Sequence, residues 1–187
     1  MIVFENRRLV IITPPHTASG NLHRALCTER LGGRWVIGLN PDGEADHHTA
    51  ELATSWRDWS VAVVIRHPLD RLIGLYRHHQ GLSEQSGWDP IPWWMFAAMV
   101  LSDHPDLSWF YKRSICELVA AELLERATLL RFETLTADVS NLLGDPVALS
   151  AGWSDPNPEE LTDATTCLQM QWHHRADRHL GGYDSRI

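Results

Sequence analysis

The segment from Val61 to Tyr76, with the sequence VAVVIRHPLDRLIGLY, constrains the fold of this chain more than any other. Its continuous apolar run, rich in β-branched residues, is typical of a strand that is buried on both faces of a sheet. The run ends at Arg66, and an amphipathic segment with Asp70 and Arg71 follows a proline. We therefore predict that the strand delivers Arg66 to the carboxyl edge of the sheet, where open α/β folds bind ligands. A guanidinium there suits phosphate or carboxylate, and an Arg that caps the strand and pairs with a nearby acid fits the same pattern.

Strands and helices alternate along the chain, which predicts an α/β fold. Short apolar runs predict strands at Leu9–Thr13, Arg34–Gly38, Ala62–Ile65 and Thr128–Phe132. Helical spacing of apolar residues predicts helices at Ser19–Leu31, His47–Trp59, Leu69–His79, Trp93–Leu101, Ile115–Leu124, Leu135–Leu143 and most of Leu161–Leu180. Turn-rich sequence predicts a loop at Gly81–Pro92 and irregular structure at Gly144–Pro158. This order predicts three α/β/α layers around a central parallel sheet, and 187 residues suit one domain, 1–187.

Composition narrows the class of protein. A net charge of −8 argues against a nucleic-acid partner. The apolar runs are too short to cross a bilayer, and the start of the chain lacks the cleavage site of a signal peptide. Three widely spaced cysteines form no obvious disulfide framework, which favours a reducing compartment. We therefore expect a cytoplasmic protein with no membrane partner; the sequence leaves its oligomeric state open.

The segment Leu9–Leu26, LVIITPPHTASGNLHRAL, has the pattern of a strand, a tight loop and the start of a helix. Small or hydrogen-bonding side chains occupy the loop and the first helical turn, namely Thr17, Ala18, Ser19, Gly20 and Asn21. Backbone N–H groups at a helix start, together with its positive dipole end, hold phosphate or sulfate. The loop lacks the GxxxxGK[ST] sequence of a Walker A motif. A plain Ser N-cap after a proline turn fits the same residues.

This loop and the Arg66 segment together resemble the sulfotransferase superfamily, which uses 3′-phosphoadenosine 5′-phosphosulfate (PAPS) as donor. The family loop P-K-[ST]-G-[ST]-[ST], which binds the 5′-phosphosulfate, is matched by Pro15, His16, Thr17, Ala18, Ser19 and Gly20. The family motif R-[ND]-P-x-[DE]-R-x-x-S-x-Y, whose first Arg and Ser hold the 3′-phosphate, is matched from Arg66 to Tyr76. Leu129–Leu135 and Ala176–Asp184 look like later segments of the carbohydrate-type members.

The resemblance implies a P-loop-like sulfotransferase fold and direct in-line transfer of a sulfuryl group from PAPS to a hydroxyl of a carbohydrate or small molecule. The product of the donor is 3′-phosphoadenosine 5′-phosphate (PAP). It implies that the donor is bound by Pro15, His16, Thr17, Ala18, Ser19, Gly20, Asn21 and Arg66, with Gly74 at the position of the motif's Ser.

Two departures from the family pattern leave other functions open. His16 replaces the loop Lys that neutralises charge on the bridging oxygen, and Gly74 removes the hydroxyl that contacts the 3′-phosphate. A non-catalytic relative that binds a nucleotide or another anion is therefore the main alternative. A nucleotide kinase-like enzyme shares the architecture, but the absent Walker lysine argues against it.

The histidines supply the candidates for acid–base chemistry. By resemblance, His48 or His47 would deprotonate the acceptor, with His48 slightly favoured, while His16 would act near the bridging oxygen. A solvated helix start also explains His47 and His48. Neighbouring histidines on a helix point about 100° apart, and no HExxH or CxxC spacing is present, so we expect no metal site. Trp93 and Trp94 are candidates to line an acceptor cleft, and core or lid packing is the alternative that the sequence favours.

Overall fold

The register of the central sheet decides which loops of this protein meet. The computed structural model describes residues 1–39, 45–46, 56–87, 89–102, 104–105, 114–119, 121–150, 169 and 175–183. The chain divides into two compact units: Met1–Arg66 with Ile115–Gly152, and His67–Ser114 with Trp153–Ile187. His47 and His48, along with most of the helix expected at Leu161–Leu180, lie outside the described residues.

The first unit contains a mixed five-stranded sheet. Its described strands are β1 (Ile2–Phe4), β2 (Leu9–Ile12), β3 (Arg34–Trp35), β6 (Ser60–Ile65) and β7 (Thr128–Arg131), in the spatial order β3-β1-β2-β6-β7. A separate two-stranded sheet pairs β4 (Gly38–Leu39) with β5 (Ala45–Asp46). The expected strand at Arg34–Gly38 is thus divided between the two sheets.

The prediction of an all-parallel sheet is wrong for β1. Strands β2, β6 and β7 are parallel, but β1 pairs antiparallel with both β2 and β3. The reason is the connection between β1 and β2, a single 3₁₀ turn at Glu5–Arg7 that ends with Arg8 in the left-handed region. So short a connection can join only antiparallel neighbours, because a parallel crossover needs a dozen residues or more.

The apolar pattern of the strands explains the burial of the sheet. Leu22 and Leu26 of α1 (Ser19–Leu26) and Val139 and Leu143 of α6 (Leu135–Leu143) recur at a spacing of four, so each pair lies on one face of its helix. They pack with Ile11, Val64 and their neighbours on one face of the sheet. Residues that alternate with these, such as Val63, are also fully buried, as expected for a strand covered on both faces.

The remaining helices follow the sequence pattern with differences in their bounds, and the single helix predicted at Ile115–Leu124 is wrong because it is divided into two. They are α2 (Pro68–Ser86), α3 (Trp93–Leu101), α4 (Ile115–Leu118), α5 (Ala121–Arg126) and α7 (Arg175–Gly181). The bounds expected for α3 and α6 are confirmed. The loop expected from Gly81 is wrong as far as Ser86, because one glycine is tolerated in a helix and α2 ends only where Gly87 turns left-handed. Helix α1 ends at Leu26, earlier than expected, because Cys27 leaves helical geometry.

The second unit is built around α2 and α3. Leu72, Leu75, Trp93 and Phe96 form its buried core, and the Tyr76 ring meets the Trp93 ring edge-on with centroids 5.2 Å apart. Trp93 is therefore a packing residue, whereas the Trp94 side chain is 62% exposed. No helix in the described part of the chain is long and apolar enough to span a membrane.

Replacing Gly33 by Ala should destabilise the first unit by about 1–3 kcal/mol, measured by urea unfolding. An added Cβ would lie 2.6 Å from the Leu26 carbonyl oxygen and 3.1 Å from the Phe4 ring, so the backbone after α1 must shift. Gly81→Ala is the matched control, since its Cβ would meet nothing within 4 Å inside α2. That variant should gain up to about 1 kcal/mol from helix propensity. Equal stability of the two variants would contradict this account.

Candidate functional site

The carboxyl ends of three adjacent parallel strands meet at one edge of the sheet. The β2–β6 register pairs Ile12 with Val63, and the β6–β7 register pairs Ile65 with Arg131. Continuing both registers places the loop after β2 beside Arg66, and Arg66 beside Phe132. In open α/β sheets this carboxyl edge is where ligands bind.

Arg66 is the side chain on which this edge is built. It is 1% exposed, and its Nη1 donates to the backbone oxygen of His16 at 3.2 Å. Its Cζ lies 4.1 Å from the centroid of the Phe132 ring, a cation–π contact. The structure therefore brings together Arg66 and the loop that the sequence paired with it, fifty residues away.

The position of Phe132 follows from the turn that connects β7 to α6. It is a single 3₁₀ turn, Phe132–Thr134, and it is stabilised by hydrogen bonds to the Asp138 carboxylate in α6. Asp138 Oδ2 accepts hydrogen bonds from the Arg131 N–H (2.9 Å) and the Thr134 hydroxyl (2.8 Å). These bonds fix where the chain leaves the sheet, and so hold the aromatic ring against the Arg66 guanidinium.

The loop between β2 and α1 has unusual backbone geometry. His16 and Ala18 have φ of 59° and 69°, and Thr17 between them is not in the positive-φ region. Residues of alternating φ turn successive N–H groups toward one concavity, a backbone nest of the kind that binds anions. Positive φ at residues other than glycine costs energy and is concentrated at ligand-binding sites. The backbone geometry is therefore suited to an anion.

Thr17 stabilises the turn of this loop by two hydrogen bonds to one carbonyl. It is fully buried, its hydroxyl donates to the Pro14 carbonyl at 2.6 Å, and its N–H donates to the same oxygen at 3.3 Å. Its side chain thus maintains the turn, and Pro15 is buried as well. The partly exposed residues of the loop and helix start are His16, Ala18, Ser19 and Gly20.

Helix α1 begins without a side-chain cap. The N-cap is Ala18, in the left-handed region, so Ser19 is the first helical residue and the alternative of a Ser N-cap is wrong. The first helical hydrogen bond runs from the Leu22 N–H to the Ala18 oxygen, 3.0 Å. The N–H groups of the preceding turn therefore have no acceptor within the helix. A Cβ added to Gly20 would meet nothing within 4 Å, so space is open beside this turn.

The side chain of Asn21 is held in place by two hydrogen bonds. It is 8% exposed, and its Oδ1 accepts from Arg24 Nη2 at 2.6 Å and from the Ser150 hydroxyl at 2.9 Å. Ser150 is 129 residues away in the chain, so this contact joins the last described segment of the first unit to the start of α1.

The environment of α1 disfavours extra charge on His23. The His23 ring lies 3.7 Å from the Trp35 ring, centroid to centroid. Burial, and secondly the charge of Arg24, lower the pKa of His23 below its ordinary value. A lowered pKa means that His23 contributes little positive charge near neutral pH.

The described part of the first unit does not include the remaining expected site residues, Gly74, His47 and His48. Gly74 is buried in α2, which belongs to the second unit. His47 and His48 lie outside the described residues, so their expected role stays a prediction. Within the described ranges no three or more His, Cys, Asp or Glu side chains form a group that could hold a metal ion.

Sequence reasoning did not identify Phe132, Arg24 or Ser150. Phe132 is the last residue of the strand predicted at Thr128–Phe132, and parallel strand order would have placed it beside Arg66. Nothing in the sequence pattern could have paired Ser150 with Asn21, because an irregular segment carries no periodicity.

Comparison of the chain with protein-family models, curated proteins and solved structures found no match.

Replacing Phe132 by Leu should lower the free energy of unfolding by about 0.5–2 kcal/mol, because the cation–π contact with Arg66 is lost while an apolar side chain remains. Phe132→Tyr keeps the ring and should leave stability nearly unchanged. The measurement is urea unfolding in the wild-type and Arg66→Met backgrounds. A Phe132→Leu effect of the same size in both backgrounds would show that the ring does not act through the guanidinium.

Proposed function

We propose that this protein is a small PAPS-dependent sulfotransferase with a P-loop-like, three-layer α/β/α fold. The observation that carries the proposal is the hydrogen bond from Arg66 Nη1 to the His16 carbonyl, which joins the end of β6 to the loop between β2 and α1. This is the meeting of the two segments that resemble the family's 3′-phosphate and 5′-phosphosulfate motifs. Backbone N–H groups of that loop and of the first turn of α1 would bind the phosphosulfate, and Arg66 the 3′-phosphate.

The chemistry needs no covalent intermediate of the enzyme. The acceptor hydroxyl attacks sulfur, the new oxygen–sulfur bond forms as the bond from sulfur to the bridging oxygen breaks, and PAP leaves with the electron pair. His48 or His47 would take the acceptor proton, as the sequence suggests. His16, in its protonated form, would donate to the bridging oxygen in place of the family lysine. A carbohydrate or small-molecule acceptor and a cytoplasmic location belong to the same proposal.

The second candidate function is a nucleotide-binding module without catalysis. The specific observation in its favour is the pair of substitutions His16 and Gly74 at positions where the family has Lys and Ser. Backbone donors and Arg66 are unaffected by either change, so the geometry supports binding of the donor more strongly than transfer from it. The two functions differ in one respect only, which is whether sulfate leaves the bound PAPS.

Binding of PAP should raise the melting temperature of the protein more than ATP, ADP or AMP does, because a ligand that binds only the folded state stabilises it.

Arg66→Ala should weaken PAP binding, measured by calorimetry, by about 2–4 kcal/mol through loss of a charged bidentate donor. Arg66→Lys keeps the positive charge but loses the paired donors of the guanidinium. Its PAP affinity should therefore lie between that of the wild type and that of Arg66→Ala.

The matched control is Arg126→Ala, because Arg126 in the same unit donates to a backbone carbonyl, that of Trp59, at 2.9 Å on the surface. This variant should bind PAP like the wild type. If Arg66→Lys is folded, as judged by its melting temperature, and binds PAP with wild-type affinity, Arg66 does not bind the 3′-phosphate through its guanidinium. A preference for ATP over PAP would instead favour the kinase-like reading of the sequence.

Replacing His16 by Lys should raise the rate of sulfate transfer from labelled PAPS by about 10-fold or more, because an ammonium is fully charged at neutral pH where imidazole is only partly so. The backbone carbonyl that accepts from Arg66 is retained in any variant of His16. The control is His16→Gln, a neutral side chain that should not exceed the wild-type rate. If the Lys variant binds PAPS and still transfers nothing to a broad set of hydroxyl acceptors, the non-catalytic function holds.

A further inference from the structure

The indole of Trp93, at the start of α3, is buried without an acceptor for its N–H group. The residue is 9% exposed, and its ring lies against the rings of Tyr76 and Phe96, with centroids 5.2 Å and 6.3 Å away. In the described part of the chain, no atom accepts a hydrogen bond from Trp93 Nε1. Buried indole N–H groups usually have an acceptor, so this one needs an explanation.

The unpaired N–H group makes the packed position of this ring less stable than its apolar contacts alone would make it. A buried donor that has left water without gaining an acceptor costs free energy, whereas the same donor in water is hydrogen-bonded. Movement of the Trp93 indole into solvent therefore recovers part of the free energy lost with its apolar contacts. Phe96 and Leu72 in the same core have no such gain, because their side chains carry no polar atom.

Two side chains of α2 hold the chain just before α3. The Ile91 carbonyl accepts a hydrogen bond from the Tyr76 hydroxyl at 3.3 Å and another from Gln80 Nε2 at 2.9 Å. Helix α3 itself, with the sequence WWMFAAMVL, carries no charged side chain, and no side chain caps its start at Pro92. The hydrogen bonds to the Ile91 carbonyl therefore restrain the end of α3 at which the unpaired indole lies.

We propose that the first turn of α3 is a gate of the second unit, which opens by moving the Trp93 indole out of the core and is kept closed by the hydrogen bonds to the Ile91 carbonyl. The unpaired N–H group favours the open position, and the two hydrogen bonds favour the closed one. Opening exposes the rings of Tyr76 and Phe96, so the gate controls access to an apolar part of this unit. The proposal goes beyond the proposed function and does not depend on it, because it involves no residue of the candidate site.

Replacing Trp93 by β-(3-benzothienyl)alanine tests the role of the N–H group, because sulfur takes the place of the nitrogen and the ring keeps its shape. The readout is hydrogen exchange of the Phe96 backbone N–H, which donates to the Pro92 oxygen at 3.1 Å in the first turn of α3. In the wild type, this amide should be about 10-fold or more less protected than the Leu75 amide inside α2. The replacement should raise the protection of the Phe96 amide about 5-fold or more, since the open position loses its advantage.

Tyr76→Phe tests the opposite side of the balance, because it removes one hydrogen bond to the Ile91 carbonyl and keeps the ring. It should lower the protection of the Phe96 amide about 3-fold and leave that of the Leu75 amide unchanged. Ser102→Ala is the matched control, since the Ser102 hydroxyl also donates to a backbone carbonyl, that of Met99 at 3.4 Å, but at the other end of α3. This variant should leave the protection of the Phe96 amide unchanged.

Three results would overturn the proposal. Equal protection of the Phe96 and Leu75 amides in the wild type would show that the first turn of α3 opens only when the whole unit unfolds. Unchanged or lower protection of the Phe96 amide after the benzothienyl replacement would show that burial of the indole N–H group does not favour opening. Equal changes at Phe96 and Leu75 in Tyr76→Phe would show that the Tyr76 hydroxyl acts on the stability of the unit and not on a gate.

Discussion

The candidate site depends on one buried charge, the guanidinium of Arg66. A charge that is 99% buried needs compensation for its lost hydration, and the structure supplies the His16 carbonyl on one strand neighbour and the Phe132 ring on the other. Both partners come from the carboxyl ends of adjacent parallel strands, so the sheet register itself assembles the environment of the charge. The same hydrogen bond anchors the loop whose left-handed residues form the backbone nest. Removing the guanidinium would therefore disturb the loop geometry together with the electrostatics.

Under the proposed function, the groups that would bind the donor differ from those that would take part in the reaction. Backbone N–H groups of the loop and of the first turn of α1 do not depend on side-chain identity. Reaction chemistry depends instead on side chains, and there the chain departs from the family pattern at His16 and Gly74. With a single lysine, Lys112, among its sixteen basic residues, the protein must use arginine and histidine for cationic roles. Partial protonation of an imidazole then limits the charge available at neutral pH.

Much of the fold could be predicted because its elements have strong local patterns. The β-branched run that became β6, and the apolar residues four apart in α6, specify their elements independently of the rest of the chain. Strand β1 has no sequence prediction because three residues give too short a pattern, and α2 is longer than predicted because the turn-rich residues from Gly81 onward hide its last turns. Of the site, the loop and Arg66 could be predicted from motif spacing. Phe132 and Ser150 could not, since their roles arise only from strand order and from a contact across 129 residues.

By itself the sequence determined that this protein has buried strands linked to helices, an anion-suited loop after β2, and an arginine at the end of β6. These are local properties, written in hydrophobic periodicity and in the residue types at strand ends. The tertiary structure alone decided that β1 turns back antiparallel, that Arg66 lies between the His16 carbonyl and the Phe132 ring, and that Ser150 and Arg24 orient Asn21. The physical reason is that strand order and long-range hydrogen bonds depend on which surfaces are buried together, and no local pattern records that choice.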